Sequence, residues 1–159
     1  MSVWPQAVQK IGAFFVASGA EARVEELGED CGSAADAAEA LGCGLAQIVK
    51  SLVVMGDGRP ALALVSGPAR ADLKRIAAEL SCKHARIARP AEVTEATGFE
   101  PGAVTPFLGG RISRVLLDDA LLRHDLVWCG AGSRLHMAAL SPQELLRLTQ
   151  ARAAAITES

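Results

Sequence analysis

The chain has 159 residues, half of them hydrophobic, which is enough for one well-filled core and argues for a single domain. Charged residues make up 21% with a formal balance of −2, which excludes gripping nucleic acid by bulk charge; any RNA contact must be local. The first residues lack a basic segment followed by an apolar stretch, and no apolar run approaches a membrane span, so a soluble, unexported, cytoplasmic protein is expected, with no membrane partner.

Over residues 3–19 the apolar positions Val8, Ile11, Phe15 and Val16 recur near the 3.6-residue period, predicting a helix that Gly19 ends. Residues 22–27 are a short β-compatible stretch, after which Ser33 caps an alanine-rich helix that stops around Gly42 to Gly44. Residues 48–55 are rich in β-branched side chains, Gly56-Asp57-Gly58-Arg59 supplies a turn, and residues 60–65 read as the partner strand. Helical spacing returns over 71–80, followed by a short strand at 85–88 and a short helix at 90–97. Residues 98–110 hold four glycines and two prolines in thirteen positions, too many for a helix or a central strand, and form the main loop. Strands follow at 112–117, 126–129 and 135–139. Ser141-Pro142-Gln143-Glu144 then reads as a capping box opening a helix that runs to about Thr149. The pattern predicts an α+β domain over 1–150, with 151–159 a weakly amphipathic tail that frays at its end.

Three features could carry chemistry. Lys50 interrupts an apolar strand on the side of Ile48, Leu52 and Val54. It is either an edge lysine whose ammonium reaches water, or a cation held at a cleft wall where poor solvation strengthens its pull on a phosphate or oxyanion. The second feature is the stiff loop Thr97-Gly98-Phe99-Glu100-Pro101-Gly102-Ala103-Val104-Thr105-Pro106-Phe107, whose glycines and prolines either aim backbone groups at a ligand or make a tight surface connection. The third is Gly130-Ala131-Gly132-Ser133, small residues after a strand, a cleft floor or a hairpin turn.

Other catalytic groups do not assemble. His84, His124 and His136 lie in polar or strand-edge surroundings, with no metal-binding spacing, and no Gly-x-Ser-x-Gly elbow occurs. Asp118 and Asp119 are explained most simply as a helix cap. Cys31, Cys43, Cys82 and Cys129 are widely and unequally spaced and read as reduced thiols, with a disulfide-stapled secreted domain as the competing reading. Lys74, Arg75, Lys83, Arg86 and Arg89 form a loose basic excess, either a tRNA-facing patch or a solvated surface. Neither a metal nor a cofactor is expected.

Taken together and in order, Ile48-Val49-Lys50-Ser51-Leu52-Val53, then Thr97-Gly98-Phe99 with Gly102 to Phe107, then Gly130-Ala131-Gly132-Ser133, resemble the YbaK and prolyl-tRNA synthetase insertion-domain family. The resemblance extends over nearly the whole chain, to Ser141-Pro142-Gln143-Glu144-Leu145-Leu146. It implies a curved mixed sheet flanked by helices and a cleft for the aminoacylated 3′ end of tRNA. The implied activity is hydrolysis of a mischarged ester in trans, with a small amino acid such as Ala, Ser, Thr or Cys, on carriers that include tRNA for proline. Lys50 matches the family lysine, and Gly102 to Pro106 match its Gly-x-x-x-Pro loop. Implied partners are mischarged tRNA and an aminoacyl-tRNA synthetase, without DNA. One departure is Leu108, which precedes Gly109-Gly110 where relatives commonly place glycine at once.

An aminoacyl ester is labile enough to be cleaved by oriented water or ribose hydroxyl once its carbonyl oxyanion is stabilised. Lys50 is therefore the expected catalytic group, with the loop backbone holding the amino group and carbonyl. Ser66, Phe99, Gly102, Ala103, Val104, Thr105, Pro106, Gly130, Ala131, Gly132 and Ser133 are the expected substrate-binding residues. A non-catalytic binding module that keeps the cleft is the alternative, and a deacylase of aminoacyl adenylates or other small esters a third reading.

Overall fold

Val8, Ile11 and Phe15 lie on one buried face of α1 (Gln6–Ala17), the stripe that their spacing predicts. The computed structural model describes residues 3–29 and 33–158; Cys31 and Ser159 lie outside the described residues. After α1 come β1 (Ala22–Glu26) and α2 (Ala34–Leu41), whose N-cap Ser33 accepts the Asp36 amide at 3.1 Å. Next, β2 (Val49–Gly56) and β3 (Arg59–Ser66) form the expected hairpin. Its tip, Asp57-Gly58, has both residues at positive φ, 49° and 81°, a type I′ turn whose twist suits paired strands. The Asp57 carboxylate accepts the Lys83 and His84 amides at 2.9 and 3.0 Å. Those bonds seat β4 (Ala85–Ile87), which follows α3 (Leu73–Leu80), along the far half of β2.

The chain continues through α4 (Pro90–Thr97), β5 (Val115–Asp118), β6 (Val127–Ser133), β7 (His136–Leu140), α5 (Pro142–Thr149) and β8 (Arg152–Ala154). Three strands make one sheet in the order β1-β7-β6, and five make a second in the order β4-β2-β3-β5-β8. The second sheet is mixed, because β5 pairs in parallel with both β3 and β8. A bridge from Ile48 to Trp128 joins the two sheets. The hairpin is buried on both faces: Val49, Val53, Leu62 and Leu64 pack with Phe15 and Phe107, while Val54 and Val65 pack with Ile76 and Ile156. This two-sided burial explains why β2 and β3 read as continuous apolar runs rather than alternating ones. Among the described residues no helix is long and apolar enough to cross a membrane.

Three expectations are corrected. Residues 151–158 are part of the domain rather than a tail: β8 extends the sheet, Ile156 is fully buried, and the Asp72 amide donates to its carbonyl at 2.8 Å. Asp118 stands at the N-cap position of a 3-10 turn (Asp119–Arg123), but its side chain makes no capping bond, since its buried carboxylate accepts the Ile156 amide at 3.0 Å and the Thr157 hydroxyl at 3.2 Å. The box at Ser141 closes by half. Ser141 accepts the Glu144 amide at 3.1 Å, but the Glu144 carboxylate turns to Arg147 and to the Glu21 amide, 123 residues away. Those partners, Arg147 first, hold the Glu144 carboxyl down at about 2. Replacing Ile156 by Ala leaves a cavity under the sheet and is expected to cost about 2–5 kcal/mol. Thermal melting should show a drop of roughly 10 °C, and an unchanged melting point would mean that the burial of Ile156 contributes nothing.

Candidate active site

β4 covers only Val54–Gly56, so on that flank the first half of β2, with Lys50 and Ser51, is left as an open edge. Lys50 is half-buried there, and its ammonium donates to the Ala69 carbonyl at 2.9 Å. Beside it opens a cavity of about 300 Å³ whose wall includes Lys50, Ser51, Gly102, Val104, Gly130 and Ser133. Ser33, Ala34 and Ala37 close it from the side of α2. The strand edge, the glycine loop and the end of β6, far apart in sequence, thus face one space.

The loop is shaped from within and pinned from without. The Ala103 amide closes a turn onto the Glu100 carbonyl at 2.9 Å. The amides of Gly102 and Val104 have no hydrogen-bond partner among the described residues, which leaves two donors at the cavity wall. Phe107 anchors the loop on α1, meeting Phe15 edge-on at 4.8 Å between ring centroids. On the outer side Arg134 pairs with Glu100 at 3.2 Å, its guanidinium lying over Gly102. The Val104 carbonyl rests against Gly130, where a side chain would come within 2.5 Å of the oxygen. Leu108, the departure from the family pattern, is half-buried and packs on the core.

Several expected site residues lie elsewhere. Ser66 is buried and its hydroxyl donates to the Ala46 carbonyl at 2.9 Å. Thr105 is buried and accepts the Phe107 amide at 3.3 Å, so its hydroxyl serves the loop's own turn. Ala131 faces the core and Pro106 is buried. Phe99, Ala103 and Gly132 line a wider second cavity of about 850 Å³, which Ser133 and Arg134 separate from the first. The segment from Gly130 to Ser133 is the irregular end of β6, with a register shift against β7, rather than a turn.

His136, expected in polar or strand-edge surroundings, is instead 2% exposed. Its Nδ1 is 2.6 Å from the Ser133 hydroxyl, which also accepts the Leu135 amide at 3.0 Å. Its Nε2 lies 3.2 Å from the Glu26 carboxylate but is not aligned for a hydrogen bond, and the Trp4 ring stands edge-on at 5.0 Å. The sequence held a signal: His136 alternates with Ala138 and Leu140, both core residues. No group of three or more His, Cys, Asp or Glu side chains arranged to hold a metal ion occurs among the described residues.

A family model for the aminoacyl-tRNA editing domain matches residues 28–148, which include Lys50, the 97–107 loop and the end of β6. The chain belongs to that family. It is 32% identical over 147 residues to the Escherichia coli multifunctional Ser/Thr-tRNA deacylase ProXp-y, covering 89% of this chain and 87% of that one. It is 37% identical over 123 residues to the uncharacterised protein YwhH of Bacillus subtilis, covering 77% and 78%. The crystal structure of a candidate trans-editing enzyme for prolyl tRNA synthetase superposes with a TM-score of 0.90 at 34% identity, covering 99% of this chain and all of that one.

Within this editing domain the basic excess is partly spent on internal pairs. Arg75 pairs with Asp72 at 3.4 Å, and Arg86 grips Glu92 with two bonds of 2.7 and 2.8 Å. Arg86, helped by the Arg89 amide, keeps the Glu92 carboxyl down at about 2.

Proposed function

We propose that the cavity beside Lys50 holds the ester of a small, wrongly attached amino acid such as Ala, Ser, Thr or Cys, with tRNA for proline among the carriers. The chain is a trans-acting aminoacyl-tRNA deacylase, and mischarged tRNA is its substrate. The reading of the site rests above all on one observation: Lys50, Gly102 and Val104 line the same cavity, and the Gly102 and Val104 amides have no hydrogen-bond partner among the described residues. Water, or the neighbouring ribose hydroxyl, attacks the acyl carbon, and negative charge gathers on the carbonyl oxygen as the tetrahedral species forms. Donors already in place stabilise that charge without reorganising. The bond from acyl carbon to ribose oxygen then breaks, the ribose oxygen takes up a proton, and amino acid and tRNA separate; a ribose-hydroxyl attack requires a further hydrolysis. No covalent enzyme intermediate is needed.

Selection among amino acids is steric, because an apolar wall distinguishes one methylene by only about 1–3 kcal/mol and the cognate residue must be kept out by size. A synthetase that releases the mischarged tRNA in the cytoplasm is the proposed source of substrate. The test is a panel of mischarged tRNAs incubated with the purified chain. Release of amino acid from one or a few pairs is expected. Inertness toward every pair would overturn the proposal in favour of a binding module.

A further inference from the structure

β1 is one edge of the three-stranded sheet, and among the described residues no strand covers its outer side. The Leu27 amide donates to the Leu135 carbonyl, so alternation along the strand turns the backbone of Arg23 and Glu25 toward β7 and that of Ala22, Val24 and Glu26 outward. These outward groups have no hydrogen-bond partner among the described residues. Beside them a groove of about 340 Å³ runs between α1 and β1, lined only by glycine and apolar side chains, among them Trp4, Phe15, Val16, Ala22 and Val24. Val16 is 83% exposed. On the other face of the strand stand Arg23 and Glu25, opposite in sign, two residues apart and paired with each other at 2.8 Å. An open strand edge beside exposed apolar side chains is a template for pairing with another chain.

We propose that this edge is the interface with a second copy of the chain, β1 pairing antiparallel with β1 about a twofold axis through Val24. In that register Val24 faces Val24, and Ala22 faces Glu26 of the second copy, each pair exchanging both hydrogen bonds through the groups that point outward. Arg23 then stands opposite Glu25 of the second copy, and the symmetry repeats the contact on the other side of the axis. These are the closer, non-bonded pairs of the ladder, with α-carbons about 4.5 Å apart. Moving the axis by one residue either way would set Arg23 against Arg23 or Glu25 against Glu25, and an in-register parallel pairing would do both. Charge therefore selects the register that the backbone also favours. On the α1 face the axis brings the two grooves together along Val24 and covers Val16 and Trp4, which adds the apolar burial that strand pairing alone lacks. None of residues 22–26 lines the Lys50 cavity, so the pairing stands independently of the deacylase reading.

Sedimentation of the full chain across the micromolar range tests this, and a dimer is expected. R23E and E25R each set like charges opposite one another on both sides of the axis, and each should raise the dissociation constant roughly 10–100-fold. Mixing the two variants is the decisive step. One copy is then acidic at both positions and the other basic, every opposed pair attracts again, and the dimer mass should return as a heterodimer. Pairing within one strand cannot produce that rescue, because both variants have lost it. The double reversal R23E/E25R in one chain, which restores the pairing within the strand as well, should dimerise as the parent does. A parent chain that stays monomeric overturns the proposal and leaves the edge to an extended segment of another protein. A dimer that both single variants leave intact also overturns it, since the two copies then meet elsewhere. So does a mixture that stays monomeric while the double reversal dimerises, because the two strands then do not oppose Arg23 to Glu25.

Discussion

Replacing Lys50 by Met is expected to lower single-turnover deacylation by about 10²–10³-fold, the loss found when one pre-placed oxyanion donor is removed. Methionine keeps the aliphatic stem along β2 but has no ammonium. Among the described residues the only hydrogen bond given up is the one to the Ala69 carbonyl, at 2.9 Å, on a half-buried side chain. Stability should therefore move by no more than about 1–3 kcal/mol, including the carbonyl left behind. The two readouts separate site from scaffold. A rate near that of the parent protein would remove Lys50 from the chemistry, and a collapse of the melting transition would make it a structural residue.

Lys50 was legible because it broke a pattern: a lysine among β-branched residues needs a reason, and an uncovered strand edge beside a cavity supplies one. The β2–β3 hairpin was legible for the same local reasons that form it, branched side chains on either side of Asp57-Gly58. Which way a small polar side chain points was not. Ser66 and Thr105 look like site residues in a one-dimensional reading, yet each hydroxyl is satisfied inside the fold, one by Ala46 and the other by Phe107. The burial of His136 was not legible because a lone polar residue gives a weak alternation signal, although Ala138 and Leu140 continue its face. β8 left no trace, since Arg152-Ala153-Ala154 has no strand propensity of its own and is a strand only because β5 offers an edge. The 98–110 loop could be recognised from composition, but not its docking on β6, because that contact joins residues 26 positions apart through a backbone carbonyl and a missing side chain.

That docking carries the second large prediction. A methyl group on Gly130 would stand 2.5 Å from the Val104 carbonyl oxygen, a distance that backbone on one side or the other must relieve by moving. β6 is held by its ladder to β7 and by α1 packed against it, so the loop is the partner that gives way. Its displacement carries the Gly102 and Val104 amides away from Lys50, and a shift near 1 Å at reacting groups costs about 10²-fold in rate. Gly130→Ala should thus lose about two orders of magnitude in kcat/KM while the melting transition remains cooperative and destabilisation stays within about 1–3 kcal/mol. Gly12→Ala is the matched control. It adds the same methyl group within α1, where nothing lies within 4 Å, and should leave catalysis unaltered with a small gain in stability of about 0.5–1 kcal/mol. Parent-level kcat/KM in the Gly130→Ala protein would mean that the loop works without its seat on β6, and that the two free amides are not the groups that meet the ester.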